Sequence, residues 1–548
     1  QNTVQDILND RSNLQVDVNN GDPTDSDGVP LLQASATIID YKTGQVKVLI
    51  GGRGNQPSAS LNRAYFDLKS IGSTTKPLTV YGPAIDTKLI TAGTPLDDTS
   101  VSEEILEKYN FGSVVPKNAD GSMFGYITAR EALTYSKNLT SIKTVDMLGL
   151  DTALNYGKKA GLKYAPQSHT MSALALGQFD QPIGNRDGGN TTILASAYGA
   201  FGNNGVIYEP ALYTKVEDAS GNLLLEKEPI STKLFSPQTS YIIYDILKGS
   251  STSAQFNDIP VAGKTGTTNS SDNFWFAGLT PYYSGSVWIG YDNPQRMNGR
   301  SSSAASLFSK IMAVAHEGLE YKDIEKPSGL VEAKVCKDSG KSPTDLCYED
   351  QRGNRVKTEY FIDGTQPKSV CDIHVSVSVN SSNNKLANKN TPSRLIEDKV
   401  FINKPNANPN ADDYPFVVPT REDDTKAEEY IKLSEIGLRA DMDLYDAIVI
   451  LNNRGIKYKI HGASVASNIS SGQYTLVSFT EKIKNSETVK LNVKVTTNTP
   501  DENIGNNGNN HNRDTSTSDT DAEAHRTSIS DIINGLFNII PYFGPILG

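Results

Sequence analysis

The stretch Lys69-Ser-Ile-Gly-Ser73-Thr-Thr-Lys76-Pro77-Leu78 decides how this chain is read. A serine followed three residues later by a lysine becomes chemical if it opens a helix. One turn then puts both side chains on the same face, so that ammonium and hydroxyl meet. A serine hydroxyl is a poor nucleophile until a neighbouring base takes its proton. A lysine serves as that base only when burial or nearby cations lower its pKa. Gly72 permits a tight turn, and Pro77 is tolerated only in a first turn, so the spacing predicts a helix starting near Ser73.

Alone this pattern is weak. Ser382-Asn-Asn-Lys385 repeats it inside a polar run without apolar periodicity. Two further triplets carry the argument. Ser136-Lys137-Asn138 follows an apolar helix-like segment, and Lys264-Thr265-Gly266-Thr267-Thr268 follows the apolar run from Ile259 to Ala262. S-x-x-K, S-x-N and K-T-G in that order are the signature of penicillin-binding proteins and serine β-lactamases. From about Ala34 to about His374 the chain resembles the transpeptidase domain of a class A, bifunctional penicillin-binding protein. Asn62-Arg63-Ala64, the run Gly125 to Ser136 with Arg130, and the strand around Trp275 extend the resemblance. Thr128, with Glu131 three residues on, predicts a capping box at the start of a helix, with Ser136 and Asn138 following it on a loop. The chain departs from it at Leu68-Lys69-Ser70-Ile71, where the family often carries arginine-glutamine-proline, but Gly72 is kept.

The resemblance implies an α+β fold: an antiparallel five-stranded sheet flanked by helices, plus a helical subdomain. It also implies roles for the residues. Ser73 would be the nucleophile and Lys76 its base. Ser136 would relay a proton to the leaving amine, and Asn138 would hold the acyl side chain. Lys264 would attract a substrate carboxylate and help depress Lys76. Thr265, Gly266, Thr267 and Thr268 would bind substrate along an inner strand, Gly266 leaving room for substrate backbone. The N–H groups of Ser73 and Thr267 would form the oxyanion hole; losing such a donor costs on the order of 3 kcal/mol. Lys137 reads as a solvated surface charge. The expected reaction is D,D-transpeptidation of peptidoglycan stem peptides, with a D-Ala-D-Ala donor and an amine acceptor. β-Lactams would be covalent inhibitors. A D,D-carboxypeptidase, a β-lactamase and a non-turnover β-lactam-sensing or wall-binding receptor are the competing readings. Asp151-Thr-Ala-Leu-Asn155 resembles the β-lactamase deacylation loop, but aspartate replaces glutamate and the interval of 13 residues after Asn138 is short. This argues against rapid hydrolysis.

Other triplets act as decoys. Lys42-Thr43-Gly44 lies between Ala36–Ile39 and Val46–Ile50 and reads as a hairpin turn. Ser271-Asp272-Asn273 comes after Lys264, where the fold has no loop to carry it across the cleft. Gly340-Lys341-Ser342 fails the phosphate-loop pattern because Val335 stands where glycine is needed. Asp22 to Gly28 fails the calcium-loop spacing at Pro23 and Ala34.

The length of 548 residues predicts two to four domains. A net charge of −11 argues against nucleic-acid binding. No cofactor is implied, and the six histidines show no metal-like spacing. Cys336 and Cys347 stand 11 residues apart and Cys371 follows, without a C-x-x-C pair, which argues against zinc. Two readings stand: a Cys336–Cys347 disulfide suited to an oxidising, extracytoplasmic setting, or three buried thiols.

Residues 1–33 resemble the end of an interdomain linker, with a short helix at Val4–Leu8. The transpeptidase domain is expected over 34–325 and a cysteine-bearing extension over 326–375. The family's glycosyltransferase domain and membrane anchor lie upstream of this region. The expectation is therefore a chain without glycan-polymerising activity, acting at the extracytoplasmic face of the membrane beside divisome or elongation proteins. Residues 376–420 are rich in Asn, Ser, Lys and Pro and read as an exposed linker. In 421–497 a helix at Leu444–Asn453 and strands at Tyr458–Gly462, Tyr474–Phe479 and Val489–Val495 resemble a PASTA module. Residues 498–548 read as a disordered tail with an apolar end too short to span a membrane.

Overall fold

The computed structural model describes residues 1–496, apart from 17–20, 113, 180–186, 426–429, 463, 465–467 and 485–486. The expected tail at 498–548 lies outside the described residues. The chain divides into two units, one of residues 1–377 and 399–418, the other of 378–398 with the described residues from 419 onward.

The first unit is built on a five-stranded sheet. Its strands are β1 (Leu32–Asp40), β2 (Gln45–Ile50), β3 (Ala262–Thr267), β4 (Asn273–Leu279) and β5 (Ser284–Tyr291), in the order β2-β1-β5-β4-β3. Every neighbouring pair is antiparallel. The β1–β2 hairpin turns at Gly44, whose φ of +78° suits glycine, as its K-T-G decoy reading requires. β1 and β4 are buried on both faces. The sheet is the wall between two cores. Phe274 and Phe276 pack on one side with the helix Ser302–Ala315. Trp275, Ala277 and Leu279 pack on the other with the helix Thr191–Gly199 and the helical subdomain. A strand covered twice needs apolar residues on both faces.

The N-terminal residues belong to this body. The helix Asn2–Asn9 buries Val4 and Leu8 in the same core as Ser302–Ala315. Arg53, 1% exposed, donates to the Leu8 and Asn9 carbonyls and pairs with Asp22. An amphipathic turn with its apolar side docked is part of a domain, so the linker reading of 1–33 is corrected. In the extension, strands Leu330–Cys336 and Val356–Ile362 pair antiparallel. Of the two readings of the cysteines, the structure has the buried thiols and not the Cys336–Cys347 disulfide: Cys336, Cys347 and Cys371 are all free and buried.

The expected linker at 376–420 is ordered instead. Strands His374–Asn380 and Ile396–Ile402 form a ribbon. Asp413 of the first unit accepts from Tyr126 N–H and from Lys404, so its polar sequence makes specific bonds. In the second unit the helix Leu444–Asn452 buries Leu444, Ala447 and Leu451 against strands Tyr458–Gly462, Val489–Val495 and Tyr474–Phe479. These elements match the sequence expectation to within one residue. Asp443 caps the helix by accepting from Tyr445 N–H.

Candidate active site

The nucleophile stretch is a 3-10 turn, Gly72–Thr75, instead of the expected α-helical start, and continues into a π-turn at Pro77–Tyr81. The one-turn spacing of Ser73 and Lys76 survives the change. A 3-10 helix has three residues per turn, so positions i and i+3 eclipse, and the Lys76 N–H bonds to the Ser73 carbonyl. Pro77 lacks the N–H that would let an ordinary helix run through, and the Pro77 carbonyl accepts from Gly82 in the wider π register.

Three close backbone approaches hold this turn. Gly72 sits at φ +54°, and a Cβ there would come within 2.5 Å of the Thr267 carbonyl oxygen. The Ile71 and Gly72 N–H groups both donate to the Gly177 carbonyl. A Cβ on Gly266 would lie 2.4 Å from the Ile71 carbonyl oxygen. Gly266 is therefore bare because the nucleophile turn presses on it. This corrects the reading in which its missing side chain leaves room for substrate. The Trp275 indole N–H donates to the Ser70 carbonyl at 2.9 Å and ties the lead-in to β4.

Lys76 is completely buried. Its Nζ lies 2.6 Å from the Ser136 carbonyl, 3.4 Å from Ser136 Oγ, 3.2 Å from the Lys137 carbonyl and 2.8 Å from Asn138 Oδ1. The first two motifs thus meet. Burial holds the Lys76 amine well below its ordinary pKa; Lys264 and Lys137 push the same way and Asp98 opposes them. Ser136 has φ +60°, an uncommon conformation for a residue with a side chain. The helix before it, Ala129–Thr134, opens with the expected capping box of Thr128 and Glu131. Asn138 was expected on a loop but begins the next helix, Asn138–Leu148.

The strand expected to be an inner one, β3, is the edge strand of the sheet, and it lies against the nucleophile turn through Gly266. Thr265 and Thr267 are half-buried, while Lys264, Gly266 and Thr268 are buried, as a period of two requires. Lys264 shares its face with Gly266, its Nζ donates to the Thr265 carbonyl at 3.2 Å, and its charge helps to lower Lys76. Burial lowers Lys264 to about 7. Thr268 is not on the accessible face: its hydroxyl bonds to Asp272 and accepts from the Asn273 N–H. Its role is to close the β3–β4 turn.

Lys137 was expected to be solvated, yet its side chain is 1% exposed. Its Nζ lies 3.0 Å from Asp120, 2.6 Å from Ser122 Oγ and 3.6 Å from Asp98, over the ring of Phe124. Asp98 and Asn118 escaped the sequence reading altogether. Asn118 Oδ1 accepts from the N–H groups of Asn138 and Leu139, and its amide donates to Asp98. Asn118 therefore caps the helix that carries Asn138. Its position 20 residues upstream leaves no local signal. Arg130 turns away to Asp245 and Glu359, a brace between helix and extension. Asp151 is exposed in the first turn of the helix Leu150–Lys159.

The family model for the penicillin binding protein transpeptidase domain matches residues 34–313, and that for the penicillin-binding protein 1A C-terminal domain matches 326–376. A penicillin-binding protein 1A from Clostridium perfringens is 51% identical over 401 residues, covering 71% of this chain and 48% of the relative. Penicillin-binding protein 1A/1B from Bacillus subtilis is 32% identical, covering 62% of this chain and 38% of the relative. The chain spans about half the length of the Clostridium perfringens protein. Among solved structures, penicillin-binding protein 1A from Haemophilus influenzae aligns with a TM-score of 0.52 at 22% identity, covering 64% of this chain and 56% of that one, a likeness of fold.

Proposed function

Because the chain belongs to the penicillin-binding protein transpeptidase family, we propose that it is a serine D,D-transpeptidase that cross-links peptidoglycan stem peptides through an acyl-enzyme on Ser73. The observation that carries this reading is the burial of Lys76 among Ser136, Lys137 and Asn138, one 3-10 turn from Ser73.

Neutral Lys76 takes the Ser73 proton as Oγ attacks the carbonyl between the two terminal D-alanines. The N–H groups of Ser73 and Thr267 receive the oxyanion. The C–N bond breaks, and the departing D-alanine amine takes a proton through Ser136, which Lys76 resupplies. An amine of a second stem then attacks the acyl-enzyme, and Ser73 leaves with a proton returned by the same route. Thr265 and Thr267, on the open edge of β3, pair with the extended donor peptide as an added strand. The Lys264 ammonium receives its terminal carboxylate. β-Lactams acylate Ser73 in the same way. By the resemblance to its family, the activity would belong to the extracytoplasmic face of the membrane.

The test combines labelling and turnover. A fluorescent penicillin should label the chain stably for hours and leave Ser73→Ala unlabelled. Release of D-alanine from a stem peptide should accompany amide formation with an added amine. Label that forms and vanishes within minutes would point to a β-lactamase. Release of D-alanine without transfer would point to a carboxypeptidase.

A further inference from the structure

The free cysteines of the extension meet a histidine. Cys336, Cys347, Cys371 and His374 are all buried, and one ligand atom from each lies within 4.8 Å of all the others. Cys371 Sγ is 3.7 Å from Cys336 Sγ, and His374 Nδ1 is 3.4 Å from each of these two sulfurs. A disulfide needs about 2.05 Å between sulfurs. Tetrahedral zinc, with Zn–S near 2.3 Å and Zn–N near 2.05 Å, sets S···S edges of about 3.8 Å and S···N edges of about 3.6 Å. The three edges among Cys336, Cys371 and His374 are close to those of the tetrahedron, and Cys347 lies within 4.8 Å of all three.

The surroundings are those of a ligand set. His374 Nε2 donates to Asp350 Oδ2 at 3.0 Å, which leaves Nδ1 with its lone pair toward the sulfurs. The Thr344 N–H donates to Cys347 Sγ at 3.4 Å, a bond that favours a thiolate. Asp338 and Asp350 also converge near His374, but Arg352 pairs with both and Arg355 with Asp338. These carboxylates therefore serve as the outer layer. The three cysteines, with partly buried Val356 and Ile373, form an apolar cluster of their own. Leu330, Tyr360 and Ile362 hold the other end of the extension to the large core, so the cysteine end is the part that a cross-link would brace.

We propose that Cys336, Cys347, Cys371 and His374 form a closed structural zinc site. Three thiols lose their protons to solvent as zinc binds, and His374 binds as neutral imidazole through Nδ1. Four protein ligands leave no open position, so the metal braces the extension and takes no part in acyl transfer. Thiolate-rich tetrahedral coordination selects zinc over magnesium or calcium. The signal available in the sequence was Cys371-Asp-Ile-His374, a C-x-x-H pair.

The full chain, purified and dialysed against buffered zinc, should retain about one zinc per chain by elemental mass spectrometry. Cys371→Ser and His374→Ala should lose it, and His374→Cys should keep it. Asp350→Asn, which spares every ligand, should weaken zinc binding by roughly tenfold or more. Cobalt loading should give the intense visible bands of a tetrahedral thiolate site. Chelation of the wild-type chain should lower its melting temperature, and zinc should restore it; this arm stands even if a ligand variant fails to fold. Ser73→Ala should hold zinc as the wild type does, so failure of the transpeptidase reading leaves this one untouched. A folded wild-type chain that retains no zinc, or one with Cys336 and Cys347 joined in a disulfide, would overturn the proposal.

Discussion

Lys264 carries its amine into a site where it is 2% exposed, and burial lowers its pKa to about 7. The sign of the stability effect follows. In the unfolded chain the amine holds its proton up to about 10.4. Between about 7 and about 10.4 the unfolded state therefore binds more protons, and stability rises with pH. Below about 7 both states are charged and the full cost of burial is present. Lys264→Met should raise the melting temperature at pH 6, and its advantage should shrink by pH 9; an advantage independent of pH would mean that Lys264 keeps its proton in the folded protein through pH 9 and that its pKa is not lowered. Acylation by carboxylate-bearing β-lactams should fall as pH rises through about 7, and Lys264→Arg, which stays charged, should remove that limb. Lys137 obeys the same physics with partners. Lys137→Ala would leave Asp98 buried without its cation, at about 3–5 kcal/mol of stability. A urea midpoint close to the wild type would show that Asp98 finds another partner. In the sequence Lys137 reads as solvated, because its acidic partners Asp98 and Asp120 stand 39 and 17 positions upstream (137−98 and 137−120).

At the scale of elements, the site is two pieces of backbone pressed together: the turn Gly72–Thr75 and strand β3. Nothing larger than hydrogen fits between Gly266 and Ile71, or between Gly72 and Thr267. Gly266→Ala should push the turn off the strand by a fraction of an ångström to an ångström. It should slow β-lactam acylation on the order of 100-fold, with the circular dichroism spectrum kept. Unchanged stopped-flow acylation would mean that the contact does not set the reacting geometry. The motif order and the alternation of β3 were legible, since both are local. That the helix starts as a 3-10 turn and widens at Pro77 was not, because the glycine contacts that shape it come from Gly177 and β3, far along the chain.

At the scale of the molecule, the catalytic candidates and the C-terminal module lie in separate units with separate cores. A chain ended after Thr425 should therefore be acylated by penicillin at a rate within about twofold of the full chain, as independent domains allow. The piece 430–496 should melt as a cooperative unit by itself. Loss of acylation on truncation, with the melting temperature unchanged, would show that the module acts on the site. No helix among the described residues is long and apolar enough to cross a membrane.

Local physics determined what the amino-acid sequence alone could specify. Gly44 at a turn between apolar runs implied the β1–β2 hairpin. Thr128 and Glu131 implied a capped helix before Ser136, and the spacing of Ser73 and Lys76 implied that they share a side. The elements of the second unit followed from periodicity within a few residues. Tertiary structure decided the burial of Lys137, the neighbour of Gly266, the docking of residues 2–16 and the meeting of Cys336 with Cys347, Cys371 and His374. Each of these depends on groups brought together from distant positions. Burial, close approach and metal-ligand geometry are properties of the packed chain, and no window of consecutive residues contains them.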